Sequence, residues 1–175
     1  MFRNFWGKFW TFIKENDGLS PNEVKIKFKR LRDSAVLPFH AHTGDLGFDI
    51  YVVTDSHFLY DKKEKKWCLD LLPMSPRLFD VGFAAEIPSG YGILLKDRSG
   101  LSSKGISVLG GVVDSGYRGP FRVCICNLTR NVYRIYDGDR ICQAVVIPQY
   151  NTVWEEVNEL SDSDRGISGY GSSGN

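Results

Sequence analysis

The fold class this chain predicts is all-β, a sandwich or barrel. Three observations carry that reading. From Val24 the apolar residues alternate with charged ones, as Val24, Ile26 and Phe28 do with Lys25, Lys27 and Lys29. Short strand-like runs then recur, separated by turns rich in Gly, Pro, Asp and Ser. Between residues 24 and 160 no long amphipathic helical period occurs, which leaves a sheet-on-sheet or closed-sheet architecture.

The 175 residues suit one domain, with enough chain to bury a core without staples. A formal net charge of +1 gives no general reason to expect nucleic acid or an anionic membrane as partner, so any polyanion must be bound by local clusters. The four cysteines, Cys68, Cys124, Cys126 and Cys142, lack zinc-ribbon spacing, and His40, His42 and His57 form no Cys/His set with them. We read them as buried free thiols, with Cys124 and Cys126 on one face of a strand. The opening run carries Arg3, Lys8 and Lys14 and lacks a small-residue cleavage site, so we read no signal peptide. No run of about 18 apolar residues exists to span a membrane, and the expected compartment is the cytoplasm.

Taken in order, residues 1–16 place Phe2, Phe5, Trp6, Phe9, Trp10, Phe12 and Ile13 at helical spacing with basic residues on other faces. The expectation is an amphipathic helix packed on its own protein or a neighbouring subunit, with peripheral membrane contact by residues 2–13 as the alternative. Asn16-Asp17-Gly18 ends it. The strand beginning at Val24 follows. Further strands are expected at Asp49–Val53, Trp67–Leu72, Arg77–Glu86, Tyr91–Lys96, Ile106–Leu109, Phe121–Asn127, Val132–Ile135 and Ile141–Pro148. Asp61–Lys66 reads as a charged hairpin tip or solvated loop. The last 15 residues are Gly/Ser-rich and read as a flexible tail, except that Arg165 and Tyr170 sit inside it.

Chemistry concentrates in a few turns. Arg98-Ser99-Gly100 joins a cation, a hydroxyl and a permissive backbone, a set that suits phosphate oxygens. Arg165-Gly166 and Gly171-Ser172-Ser173-Gly174 repeat that chemistry. Gly110–Gly119 reads as a β-hairpin with Asp114 near its tip. Asp114 either takes a proton from water or holds a metal, or it caps a turn; both readings stand at this level. Asp49 immediately precedes a strand. Gln143 is polar within the apolar run CQAVVIP and needs hydrogen-bond partners, of which a ligand phosphate is one.

In this order, AHTGDLGFDIY, RSGLSSK, GGVVDSGYRG, GDRICQ and RGISGYGSSG resemble the five motifs of the trimeric dUTPase family, and KIKFKRLRDSAVLP resembles its opening strand and loop. The resemblance covers about residues 24–174. It implies a jelly-roll-like β-barrel (a β-clip) at 23–160, a mobile C-terminal arm at 161–175 and an N-terminal extension at 1–22. It also implies a homotrimer whose three sites lie at subunit interfaces. The implied reaction is hydrolysis of dUTP to dUMP and pyrophosphate, which keeps uracil out of DNA and supplies dUMP for thymidylate synthesis. By the same resemblance, Asp114 orients and deprotonates the attacking water, and Tyr117 lies under the deoxyribose. Backbone groups around Gly111, Val113 and Arg122 read the uracil edge. Arg98, Ser99, Gly100 and Gln143 hold phosphates. Asp49 supports Mg²⁺ through water. Arg165, Gly171, Ser172 and Ser173 hold the γ-phosphate, and Tyr170 stacks on the base. Cys142 stands where alanine is usual. Two other readings compete: a dCTP-deaminase-type relative, for which Cys124 stands where a glutamate is needed, and a non-catalytic regulatory protein of the same fold.

Overall fold

A computed structural model describes residues 23–164, 166 and 167. The expected N-terminal helix therefore lies outside the described residues, as do Arg165, Tyr170, Gly171, Ser172 and Ser173. Within them are strands β1 (Lys27–Arg30), β2 (Phe48–Tyr51), β3 (Leu59–Asp61), β4 (Lys66–Leu71), β5 (Pro76–Glu86) and β6 (Tyr91–Lys96). One helical turn, α1 (Ser99–Ser102), precedes β7 (Ile106–Leu109), β8 (Val112–Asp114), β9 (Pro120–Asn127), β10 (Tyr133–Tyr136) and β11 (Arg140–Pro148). The strands form three sheets, ordered β1-β5-β9-β7, β10-β4-β3 and β2-β11-β6-β8.

Two-residue alternation builds the core. Phe79 and Val81 of β5 face inward, as do Phe121, Val123 and Ile125 of β9 and Ile93 and Leu95 of β6, and all are buried. They close on Ile50 of β2 and on Ile141 and Ala144 of β11, in the third sheet. Asn127, fully buried at the end of β9, donates from its amide to the carbonyls of Leu71 (3.0 Å) and Asn131 (2.7 Å). Its Oδ1 accepts from the Thr129 amide and hydroxyl, so every polar atom of the group is paired.

Apart from β1, the expected strands are found within a residue or two of their predicted ends, with β6 and β7 matching at both. β1 starts at Lys27 rather than Val24 because its partner β5 ends at Glu86, which faces Lys27. β5 bends where its register with β9 shifts between Asp80 and Ala84. There Gly82 has φ +75°, and its carbonyl receives the amides of Leu31 and Arg32, which ties the end of β1 to the bulge. β3 was not expected. It completes a hairpin with β4 whose tip is the charged run 62–65, and Asp61 shapes that tip by accepting from the amides of Lys63 and Glu64.

One element departs from expectation. Residues 110–119 do not pair with themselves as a hairpin. β8 pairs with β6, whereas β9 pairs with β5 and β7, so the segment crosses from one sheet to another. Gly110 and Gly111, at φ +73° and +107°, make the turn out of β7, and the Gly111 carbonyl then accepts from the Leu95 amide at 2.7 Å.

Candidate active site

Two groups of the predicted site residues emerge, and the register of β6 separates them. The first surrounds Asp114 at the end of β8. A cleft of about 210 Å³ is lined by Val112, Val113, Asp114, Tyr117, Pro120, Phe121 and Arg122. Asp114 is exposed, and its carboxylate has no hydrogen-bond or ion-pair partner among the described residues. The backbone turn is closed instead by the Tyr117 amide donating to the Asp114 carbonyl at 3.1 Å. Turn capping by the Asp114 side chain is thus not what the structure shows.

Tyr117 folds back so that its hydroxyl donates to the Pro120 carbonyl at 2.9 Å. Gly119 makes room for the ring, since a Cβ there would stand 2.5 Å from the Tyr117 hydroxyl oxygen. Gly111 is required twice over. Its φ is +107°, and a Cβ would stand 2.8 Å from the Leu95 carbonyl oxygen. Arg118 is drawn away from the cleft by hydrogen bonds to the carbonyls of Ser115 and Tyr117.

The second group gathers Asp49, Arg98, Gln143 and an arginine not singled out from sequence, Arg140. Asp49 Oδ1 accepts from Arg98 Nε at 2.7 Å and Oδ2 from Arg140 Nη1 at 3.0 Å. Arg98 also donates to the Arg140 carbonyl at 3.3 Å. One half-buried carboxylate therefore carries two guanidiniums and fixes their planes, leaving a local excess of positive charge. Ser99 opens α1, with Ser99 and Gly100 both exposed.

Gln143 faces Asp49 across one strand boundary and Lys96 across the other. Its Nε2 donates to the Asp97 carbonyl at 2.7 Å, so its partner in this chain is backbone. Gly47 passes so close that a Cβ would stand 2.7 Å from Gln143 Oε1.

Asp97 is the positioning residue that sequence reading missed. Its carboxylate accepts from the Val108 amide at 2.5 Å and the Ser107 hydroxyl at 3.0 Å, which clamps β7 to the base of the Arg98 turn. An acid directly before an Arg-Ser-Gly turn was the available signal. Cys142, fully buried beside Gln143, has its thiol pushed up to about 12, first by burial and then by the negative charge of Asp49.

Asp114 lies opposite Gly92, and Gln143 opposite Lys96, four residues further along β6. At about 3.4 Å per residue that is ~14 Å along the strand. Within one chain the acid–tyrosine cleft and the arginine cluster stand apart.

These features define a class: antiparallel β proteins with a free acid in a tyrosine-walled cleft and a separate arginine cluster for anions. A family model described as dUTPase matches residues 33–174. The deoxyuridine 5'-triphosphate nucleotidohydrolase of Helicobacter hepaticus is 39% identical over 154 residues, covering 86% of this chain and 89% of that one. The dUTPase of Staphylococcus bacteriophage 80alpha with dUPNHPP superimposes with a TM-score of 0.70 at 29% identity, covering 86% of this chain and 98% of that one. A mutant dUTPase from phage phi11 of S. aureus, described with a structural Mg(II) ion, shares the fold at TM-score 0.64 and 24% identity, covering 79% of this chain and 99% of that one. The chain belongs to the dUTPase family.

Proposed function

We propose that this chain is a dUTP diphosphatase that hydrolyses dUTP to dUMP and pyrophosphate, with Asp114 as general base. The observation that carries the assignment is the unpartnered Asp114 carboxylate beside Tyr117 in a chain of this family. Asp114 holds a water and takes its proton as the water oxygen bonds to the α-phosphorus. The bond from that phosphorus to the bridging oxygen breaks, and pyrophosphate leaves. Such assistance is typically worth ~10²–10⁴-fold in rate. Tyr117, held by Pro120, packs under the sugar and leaves no room for a 2′-hydroxyl. Backbone around Gly111, Val113 and Arg122 reads the base. Arg98, Ser99, Gly100 and Gln143 take the phosphates, where pre-set guanidiniums stabilise charge without reorganising.

The donor set fits Mg²⁺ only as a companion of the substrate. Among the described residues no group of three His, Cys, Asp or Glu could hold a metal ion, and Asp49 already serves two arginines. Its remaining lone pairs suit water ligands of an ion carried on the triphosphate. When bound there, Mg²⁺ supplies neutralisation of the phosphate charge. The residues that would support it are Asp49 and the phosphates' own partners.

A homotrimer with shared sites is part of the proposal. Two observations support it: the ~14 Å separation along β6, and a chain end, 149–164, that has no regular structure and carries exposed Val153, Trp154 and Leu160, with Trp154 at 92%. In this reading residues 23–160 are the barrel and 161–175 an arm that brings Arg165, Tyr170, Gly171, Ser172 and Ser173 to a neighbour's site. The four cysteines are free, in keeping with a reducing cytoplasm.

The test is pyrophosphate release from dUTP with Mg²⁺. dCTP and UTP are expected to be poor substrates, and D114N to lose turnover by about 10²-fold or more while still binding nucleotide. Equal turnover of the three nucleotides, or an active D114N, overturns the assignment.

A further inference from the structure

The geometry points to a second anion site, built by Arg32, Arg77 and Arg122 around one cleft along the β5–β9 pair and taking a phosphoryl oxyanion. It stands independently of the dUTP reading. A cleft of about 370 Å³ lies there, rimmed on one side by Ser56 and His57. Those two residues belong to a turn that Asp55 shapes, its carboxylate accepting from the His57 amide at 2.8 Å and its carbonyl from Phe58.

The charge in this cleft is not balanced. Asp80 faces Arg122 directly across the β5–β9 register, yet no ion pair joins them. Asp80 is engaged elsewhere, accepting from the Gly82 amide at 2.8 Å and pairing with Arg32 at 3.5 Å. Arg32 is further anchored by the Thr54 carbonyl at 3.2 Å. Arg77 is half-buried and, like Arg122, has no hydrogen-bond or ion-pair partner among the described residues. A half-buried guanidinium without an acceptor forgoes charge-assisted hydrogen bonds that it could make. Half-buried Arg77 and exposed Arg122, both unpartnered among the described residues, stand beside the anchored Arg32, and the cleft's two acids, Asp55 and Asp80, leave the three guanidiniums one positive charge in excess.

Guanidinium forks match the oxygens of a phosphate, and the Ser56 hydroxyl adds a neutral donor at the rim. The same chemistry could be presented by free phosphate or pyrophosphate, or by the phosphate of a nucleotide. Arg122 also borders the Asp114 cleft, so the two clefts adjoin at this residue of β9.

The experiment is calorimetric titration of the full chain with inorganic phosphate, pyrophosphate and AMP, in wild type and in R77Q, S56E and R98Q. S56E adds a like charge on an exposed turn and leaves the core untouched, so it tests the site even if R77Q folds poorly. R77Q and S56E are each expected to weaken pyrophosphate binding about tenfold at this site, while R98Q leaves it unchanged. AMP binding tighter than phosphate assigns a nucleotide as the source; the reverse assigns the free ion. Wild-type affinity in S56E, loss of all binding in R98Q alone, or no binding in wild type at millimolar ligand overturns the proposal.

Discussion

Gly119 is glycine because the Tyr117 ring occupies the volume its side chain would need. With the Tyr117 hydroxyl oxygen 2.5 Å from that imaginary Cβ, an alanine must swing the ring off the Pro120 carbonyl. If Tyr117 sets the sugar preference, G119A loses discrimination between dUTP and UTP by about tenfold or more while the barrel stays folded. Kinetics on the two nucleotides decide it, and unchanged discrimination separates Tyr117 from the sugar. At this scale the sequence disclosed which residues were chemical and little of what held them. Asp114, Arg98 and Asp49 stood out by type and setting, and Tyr117 through the family resemblance. That Asp49 would be clamped by Arg98 and by Arg140, 91 residues away, was not legible, since nothing local in either turn names the other. Asp97 was overlooked for the same reason: its partners on β7 exist only once the chain has folded.

The hairpin β3–β4 is an element whose stability has a readable pH dependence. Arg134 of β10 reaches across to Asp70 with Nε and Nη2, at 2.6 and 3.0 Å, and to Asp61 with Nη1 at 2.8 Å. Its hydrogen bond holds the Asp70 carboxyl below the usual 3.8, while the Glu64 and Lys63 amides do most of the same for Asp61. A carboxyl with a lowered folded pKa contributes stability above its ordinary value and loses it as pH falls through the folded one. R134Q is therefore expected to melt earlier than wild type near pH 6, with the gap closing below about pH 4. Thermal unfolding from pH 6 to 3 measures this, and a gap independent of pH refutes it. The pattern of alternating residues revealed these strands and their turns. It did not reveal pairing, which is why residues 110–119 read as a hairpin: strand period reports burial of faces, whereas β8 and β9 take their partners from distant β6, β5 and β7.

The proposed function poses a question at the scale of the whole molecule: how Asp114 and the group of Asp49, Arg98 and Gln143 serve one nucleotide when β6 sets Asp114 and Gln143 ~14 Å apart in register. The proposed sharing between subunits would resolve it, with the end of the chain brought over by a neighbour and the exposed Trp154 and Leu160 covered there. The arrangement has a consequence that separates it from any site built within one chain. Let D114N supply intact arms, and let a chain lacking residues 164–175 supply intact Asp114. Each protein alone is expected to be inactive, the truncated one with its barrel still folded. Unfolded together and refolded at equal ratio, the two assemble at random. A site then works when its Asp114 comes from the truncated chain and its arm from the other. Two independent choices of one half give about a quarter of the wild-type rate per site. A mixture that stays inactive after co-refolding shows that acid and arm belong to the same chain, and rejects the shared site. Activity in the truncated chain alone rejects any part for the arm.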